Sequence, residues 1–368
     1  MTSLSTTPAL QSLYPRQREA WVEDVPLRTE DGTRLILRRV TDTGAPAGQR
    51  PAVLLLHGHT ASSDMFLVPE IRNLVEVLLD GGYEPWLLDW RGSCRLPYNE
   101  TGARFTYDDV AVYDIPAAVT TIRERIGDQQ LFVVAHCIGA LTLSLSLTAG
   151  LVTGLAGVVA HGVFLTPKMS VKTRLRTSLG GELLRSRLDH IPVDFRKVGL
   201  RSRFLPAYAL LARGTDDCAD PTCRLVHNSW GMGGDLFVHD NLHPRTHERL
   251  AELLGPVPTW ILPHMRRVEL AHAVMRWHDN DDRYEALPVN AVDAADRLDC
   301  PVLLLAGSQN KFWENSNELC YEVLSERYPQ LDVRYVEVPG YGHLDAIIGR
   351  GAALDVFGHI LHFLGEHR

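Results

Sequence analysis

Cys137 stands at the centre of Ala135-His136-Cys137-Ile138-Gly139, between the apolar run Leu131-Phe132-Val133-Val134 and a stretch over 138–149 that reads as helix. A nucleophile presented on a tight strand-to-helix bend has a strained backbone, and the positions two before and two after it must be small. Ala135 and Gly139 meet that demand. The usual pattern has serine at the centre and glycine first. Cysteine here keeps a nucleophile, and alanine keeps a small side chain. The chemistry of such a bend is acyl transfer through a covalent intermediate.

That chemistry needs an oxyanion hole, a base and a group to orient the base. Leu56-His57-Gly58-His59 ends an earlier apolar run, so the backbone N–H groups of His59 and Ile138 are the expected oxyanion donors. His57 reads as structural, and His57 and His136 are secondary candidates. The base belongs in the loop after the last strand. There Pro339-Gly340-Tyr341-Gly342-His343 lets two glycines bring an imidazole toward the bend, in the order nucleophile then base. The orienting residue should follow Ala306-Gly307, where an aspartate is expected, yet the loop reads Ser308-Gln309-Asn310-Lys311. A thiol, with a pKa of about 8.5, gives up its proton far more readily than a hydroxyl. A thiolate–imidazolium pair can then use a neutral amide to hold the ring. Cys137, His343 and Asn310 are therefore the expected catalytic set, with Glu314 and Asp345 as fallbacks. Asp345 lies two residues from His343, a poor position for orienting it.

Other patterns carry less. Cys218-(x)4-Cys223 could be a local staple, half a metal site or two free thiols, and free thiols are the commonest reading. His239, His243 and His247 cluster without an HExxH pattern, so no zinc site is expected there. Gly231-Met232-Gly233 is no dinucleotide fingerprint, because Leu236 takes the place of the third glycine. Segment 168–203 holds ten Lys/Arg against three Asp/Glu. It reads as a solvated face that could also meet a phosphopantetheine or an acyl carrier protein. No cofactor and no metal are expected.

Strand and helix signals alternate around these positions. A hairpin is expected over 26–39, then strands at 53–56, 85–88, 131–134 and 155–163, with helices over roughly 68–80, 106–127 and 138–149. Thr106 and Asp109 have capping-box spacing. The rhythm resumes with strands at 302–306 and 332–338 and helices at 314–327 and 345–365. Such alternation specifies a mostly parallel sheet with helices on both faces. The 135 residues of 164–298 between are too many for a structureless loop. The expected organisation is thus a core from 1–163 and 299–368, with 164–298 as a mostly helical cap inserted after strand six.

The chain's 368 residues, 45% of them apolar, suffice for one sizeable core. A net charge of −8 argues against general nucleic-acid binding, which needs a basic face. The polar start, with Pro8 and Pro15, has no apolar core of a signal peptide, and no run is long enough to span a bilayer. A soluble, cytoplasmic protein is expected. Its six cysteines do not suggest a disulfide framework.

Leu87-Leu88-Asp89-Trp90-Arg91, Tyr113-Asp114-Ile115-Pro116-Ala117-Ala118, the bend at 135–139 and Pro339-Gly340-Tyr341-Gly342-His343-Leu344-Asp345 resemble an identifiable group. They look like the α/β-hydrolase domains fused to cholesterol-oxidase-like (glucose–methanol–choline) flavoproteins, and more distantly like lysosomal acid lipases. The likeness runs best over 25–160 and 300–365 and touches the cap at Cys218–Cys223 and His239–His247. It implies an α/β-hydrolase fold, in which the bend residue can be Cys and the residue after strand seven Asn. The flavoprotein half is absent here, so no flavin chemistry carries over. A central Cys is also similar to polyhydroxyalkanoate synthases and dienelactone hydrolases, whose third residue is Asp.

The expected activity is cysteine-dependent hydrolysis of a small-molecule ester or thioester. One alternative is acyl transfer from a CoA or carrier-protein thioester to an alcohol or amine. A second is a non-catalytic ligand-binding member of the fold.

Overall fold

Continuous apolar runs become strands with both faces covered, because helices pack on each side of a parallel sheet. The computed structural model describes residues 20–42, 46–96, 104–169, 189–191, 218, 220–229 and 235–368. The first 19 residues, Gly231-Met232-Gly233 and most of the basic segment 168–203 lie outside the described residues. Eight strands form one sheet: β1 (Trp21–Arg28), β2 (Arg34–Thr41), β3 (Ala52–Leu56), β4 (Glu84–Asp89), β5 (Leu131–His136), β6 (Gly157–His161), β7 (Val302–Gly307) and β8 (Val333–Val338). Their order is β1-β2-β4-β3-β5-β6-β7-β8. Only the β1/β2 and β2/β4 pairs are antiparallel; the other five are parallel.

Parallel neighbours need crossovers. Here these carry α1 (Leu74–Asp80), α2 (Ile115–Ile126) and α3 (Ile138–Thr148). Between β6 and β7 the described residues form α4 (Pro221–Ser229), α5 (Leu262–Ala271), several shorter helical turns and a two-residue strand pair, His190–Ile191 with Val257–Pro258. Helices α6 (Ser316–Arg327) and α7 (Phe357–Glu366) complete the fold. The carboxyl ends of the parallel strands share one edge of the sheet. That edge is where ligands bind in open α/β sheets. None of the described helices is long and apolar enough to cross a membrane.

Several boundaries differ from expectation for local reasons. Helix α1 starts at 74 rather than 68, because Asn73 and Glu76 cap each other's backbone N–H, and Ser63–Leu67 forms a separate 3-10 turn. At 106 the Thr106 hydroxyl and N–H both donate to Asp109, so the carboxylate alone does the accepting. The helix then widens into a π turn over Val110–Asp114 before α2. The expected C-terminal helix is broken into three, with Gly349 and Gly351 at the first break.

The π turn places Asp114 under the loop after β4. Its carboxylate accepts from the Arg91 N–H, Nε and Nη2 at 2.7–2.9 Å. Arg91 also reaches Asp31 in the β1–β2 turn. Burial nevertheless lifts Asp114 to about 6, against the pull of Arg91. One residue earlier, Trp90 donates its indole N–H to His57 O at 3.1 Å. The β4 loop thereby holds the backbone of the His57-Gly58-His59 turn.

Candidate active site

Cys137 lies between β5 and α3 at φ 55° and ψ −123°. Positive φ is strained for a residue with a side chain and persists only where its surroundings impose it. The Cys137 N–H donates to His161 O at 3.0 Å, and its carbonyl accepts from Ala140 and Leu141 to open α3. A Cβ on Gly139 would stand 2.6 Å from His57 O, so only glycine fits there. Strain at residue 137 is thus balanced by a backbone that cannot relax on either side.

Three donors face the sulfur. The Trp313 indole N–H reaches Sγ at 3.4 Å, and the backbone amides of Ile138 and His59 point to it. Burial pushes the thiol up to about 11 despite them. The sulfur lies within 4.8 Å of a ring nitrogen of His343. Burial, with His161 adding to it, holds that imidazole well below its ordinary range. Both shifts favour a neutral thiol facing a neutral ring over the thiolate–imidazolium pair.

This charge state has a measurable consequence. Only the thiolate reacts with iodoacetamide. Because the folded thiol pKa is raised, the thiolate fraction at Cys137 is small at neutral pH and grows as pH rises toward 11. Alkylation of Cys137, followed by peptide mass spectrometry, is expected to accelerate about tenfold per pH unit from pH ~6 to ~9. A rate already level at pH ~6 would mean an ion pair and contradict this charge assignment.

His343 is placed by shape and backbone. Its N–H and that of Leu344 both donate to Leu236 O. The ring packs on His136 with centroids 4.6 Å apart and on Phe312 at 5.6 Å. A Cβ on Gly162, just past β6, would stand 2.6 Å from His343 Cε1 and 2.8 Å from Nδ1. Neither ring nitrogen hydrogen-bonds to any described residue.

Asn310 is brought to this edge but does not hold the ring. Its Oδ1 accepts from Phe312 N at 3.2 Å and Trp313 N at 3.1 Å, fixing the turn after β7. Its Nδ2 has no partner among the described residues. Nδ2 lies 3.8 Å from the same Gly162 Cβ position that borders His343 Nδ1. The Asn310 atom near the ring is therefore a donor, where an orienting residue must accept from Nδ1–H. Neither fallback takes its place. Glu314 is exposed, and the Asp345 carboxylate is occupied by the Gly342 N–H and Asn241 Nδ2.

Of the two secondary histidines, His57 sits behind the site, while His136 lines the pocket within 4.8 Å of the sulfur and of a His343 ring nitrogen. His57 stacks on Trp90 at 5.0 Å, with Nδ1 2.8 Å from Gly58 O. His136 pairs Nδ1 to Nδ1 with His161 at 2.8 Å. His161 was legible in principle, since β5 and β6 place His136 opposite it. Trp313 was not, because nothing in the sequence aims a loop tryptophan at a sulfur. A pocket partly open to solvent reaches Cys137, His59 and His343. Its other walls are largely apolar and include Met65, Leu254, Val257 and Met265.

Comparison with known proteins agrees with this fold. The family described as alpha/beta hydrolase fold matches residues 51–349, and the chain belongs to that family. Human gastric triacylglycerol lipase is 34% identical over 128 residues, 32% of each chain. Human lysosomal acid lipase/cholesteryl ester hydrolase is 31% identical over 129 residues, again 32% of each. The match thus spans about a third of the length of these relatives. Triacylglycerol lipase 1 of Arabidopsis thaliana is 23% identical over 92% of this chain and 85% of its own. Among solved structures, a thermostable carboxyl esterase from Bacillus coagulans superposes with a TM-score of 0.60 at 15% identity, covering 94% of this chain and 98% of that one.

Proposed function

We propose that the chain is an acyl-ester hydrolase that works through a thioester on Cys137. The observation that carries this reading is the sulfur itself. It sits on a φ 55° bend, faced by two backbone amides and within 4.8 Å of an imidazole nitrogen. In the proposed reaction the neutral His343 takes the thiol proton as sulfur attacks the ester carbonyl. The His59 and Ile138 amides hold the oxyanion. The alcohol leaves with the proton from His343, and water attacks the thioester in the same way. The apolar walls suit an apolar acyl group, and the names of the lipase relatives point to the same class. Residues 164–298 are taken as the cap in this reading, and Leu254, Val257 and Met265 from that segment line the pocket with Cys137. Resemblance to the domains fused to cholesterol-oxidase-like flavoproteins supports the pairing of Cys137 with Asn310.

A second reading, a non-catalytic ligand binder, is favoured by one observation: no described residue hydrogen-bonds to either ring nitrogen of His343. Intact-protein mass spectrometry with a panel of acyl esters and thioesters separates the two. The hydrolase reading expects a transient acyl adduct that maps to Cys137 and is released by water. Release only when an alcohol or amine is added would make the enzyme an acyltransferase. No adduct with any member, alongside reversible binding of the same compounds, would leave the binder.

A further inference from the structure

The histidine cluster between β6 and β7 is not what its spacing suggested. His243 stands apart, its Nδ1 accepting from Arg245 N at the start of a short helix. His239 and His247 instead meet Cys218 and Cys223, which flank the start of α4. Cys218 Sγ lies 3.6 Å from His247 Nε2, and Cys223 Sγ lies 3.7 Å from His239 Nε2. All four donor atoms fall within 4.8 Å of one another.

From this geometry we propose that Cys218, Cys223, His239 and His247 form a structural zinc site. Zinc–sulfur bonds of about 2.3 Å and zinc–nitrogen bonds of about 2.0–2.1 Å at tetrahedral angles set sulfur–nitrogen edges of about 3.6 Å. Both sulfur–nitrogen pairs above have that length. Two thiolates and two neutral imidazoles balance the charge of one divalent zinc ion, and a closed set of four protein ligands marks a structural site. The Cys-(x)4-Cys spacing lies within the range such sites use. The surrounding shell is built as well. The Asp220 N–H donates to Cys218 Sγ at 3.3 Å, as the partners of metal thiolates do. Arg224 Nε holds Cys218 O at 2.6 Å.

The site would fasten the chain that carries His343. Beside His239, the Asn241 side chain donates to Gly340 O at 2.9 Å and to Asp345 at 2.7 Å. Leu236, three residues before His239, accepts both N–H groups of His343 and Leu344. Zinc then joins α4 to the segment 236–241, and that segment sets the height of the imidazole. The proposal stands apart from the acyl chemistry, because metal content reads it whether or not the chain turns over an ester.

The test is elemental analysis of the full chain, produced without a histidine tag, incubated with zinc sulfate under reducing conditions and desalted. About one zinc per chain is expected in the wild type and in His243→Ala, and at least about tenfold less in Cys223→Ser. If Cys223→Ser does not fold, cobalt titration of the wild type replaces it. Visible bands of tetrahedral cobalt with thiolate charge transfer, lost on adding zinc, support the site. Zinc below about a tenth of an ion per wild-type chain, or a Cys218–Cys223 disulfide in the protein as isolated, would overturn it.

Discussion

Cys137→Ala is expected to abolish the acyl adduct and to lower ester turnover by at least about 10³-fold, because the bond-forming atom is gone while the oxyanion amides remain. Binding of the same esters should change little, since the apolar walls around Cys137 remain. Cys137→Ser is expected to be nearly as inactive. A serine hydroxyl is a far weaker acid than a thiol, and the neutral His343 has no acceptor on Nδ1 to strengthen it as a base. Steady-state kinetics on purified variants, with melting curves to show that each is folded, decide the matter. Turnover within about tenfold of wild type in Cys137→Ala would remove the covalent mechanism altogether.

Asn310→Asp is expected to raise kcat/KM by about 10- to 100-fold. One carboxylate oxygen would keep the Phe312 and Trp313 N–H bonds that Oδ1 now makes. The other would replace Nδ2 and accept Nδ1–H from His343, leaving Nε2 free as the base. The reverse change in a Ser-His-Asp triad costs about 10⁴-fold by selecting the wrong tautomer, and a thiol depends less on its base than a hydroxyl does. The double variant Cys137→Ser/Asn310→Asp should regain activity that Cys137→Ser alone lacks. NMR titration of the ring supplies an independent check: a carboxylate on Nδ1 favours the charged imidazole, so the His343 pKa must rise. An unmoved pKa together with an unmoved rate would show that residue 310 does not face the ring.

The sheet was readable in the sequence because most of its buried strands carry apolar runs such as Val53–Leu56 and Leu131–Val134, and the bend at Cys137 was readable because Ala135 and Gly139 flank it between a strand run and a helix run. The base loop followed from its two glycines. What could not be read was polarity. A sequence places Asn310 after β7, but which end of its amide turns to the ring depends on two backbone N–H groups of the next turn. Charge state was equally hidden, since it follows from burial of Cys137 and His343 together. The Cys218–His247 cluster escaped for a different reason. Its ligands are interleaved with His243, a histidine that faces elsewhere, so spacing alone grouped the wrong three.

The turn from Asn310 to Trp313 touches both reacting partners: Phe312 lies against the His343 ring, and the Trp313 indole holds the sulfur. Mutational libraries built there should therefore yield pleiotropic variants, in which nucleophile reactivity and base strength change in one step.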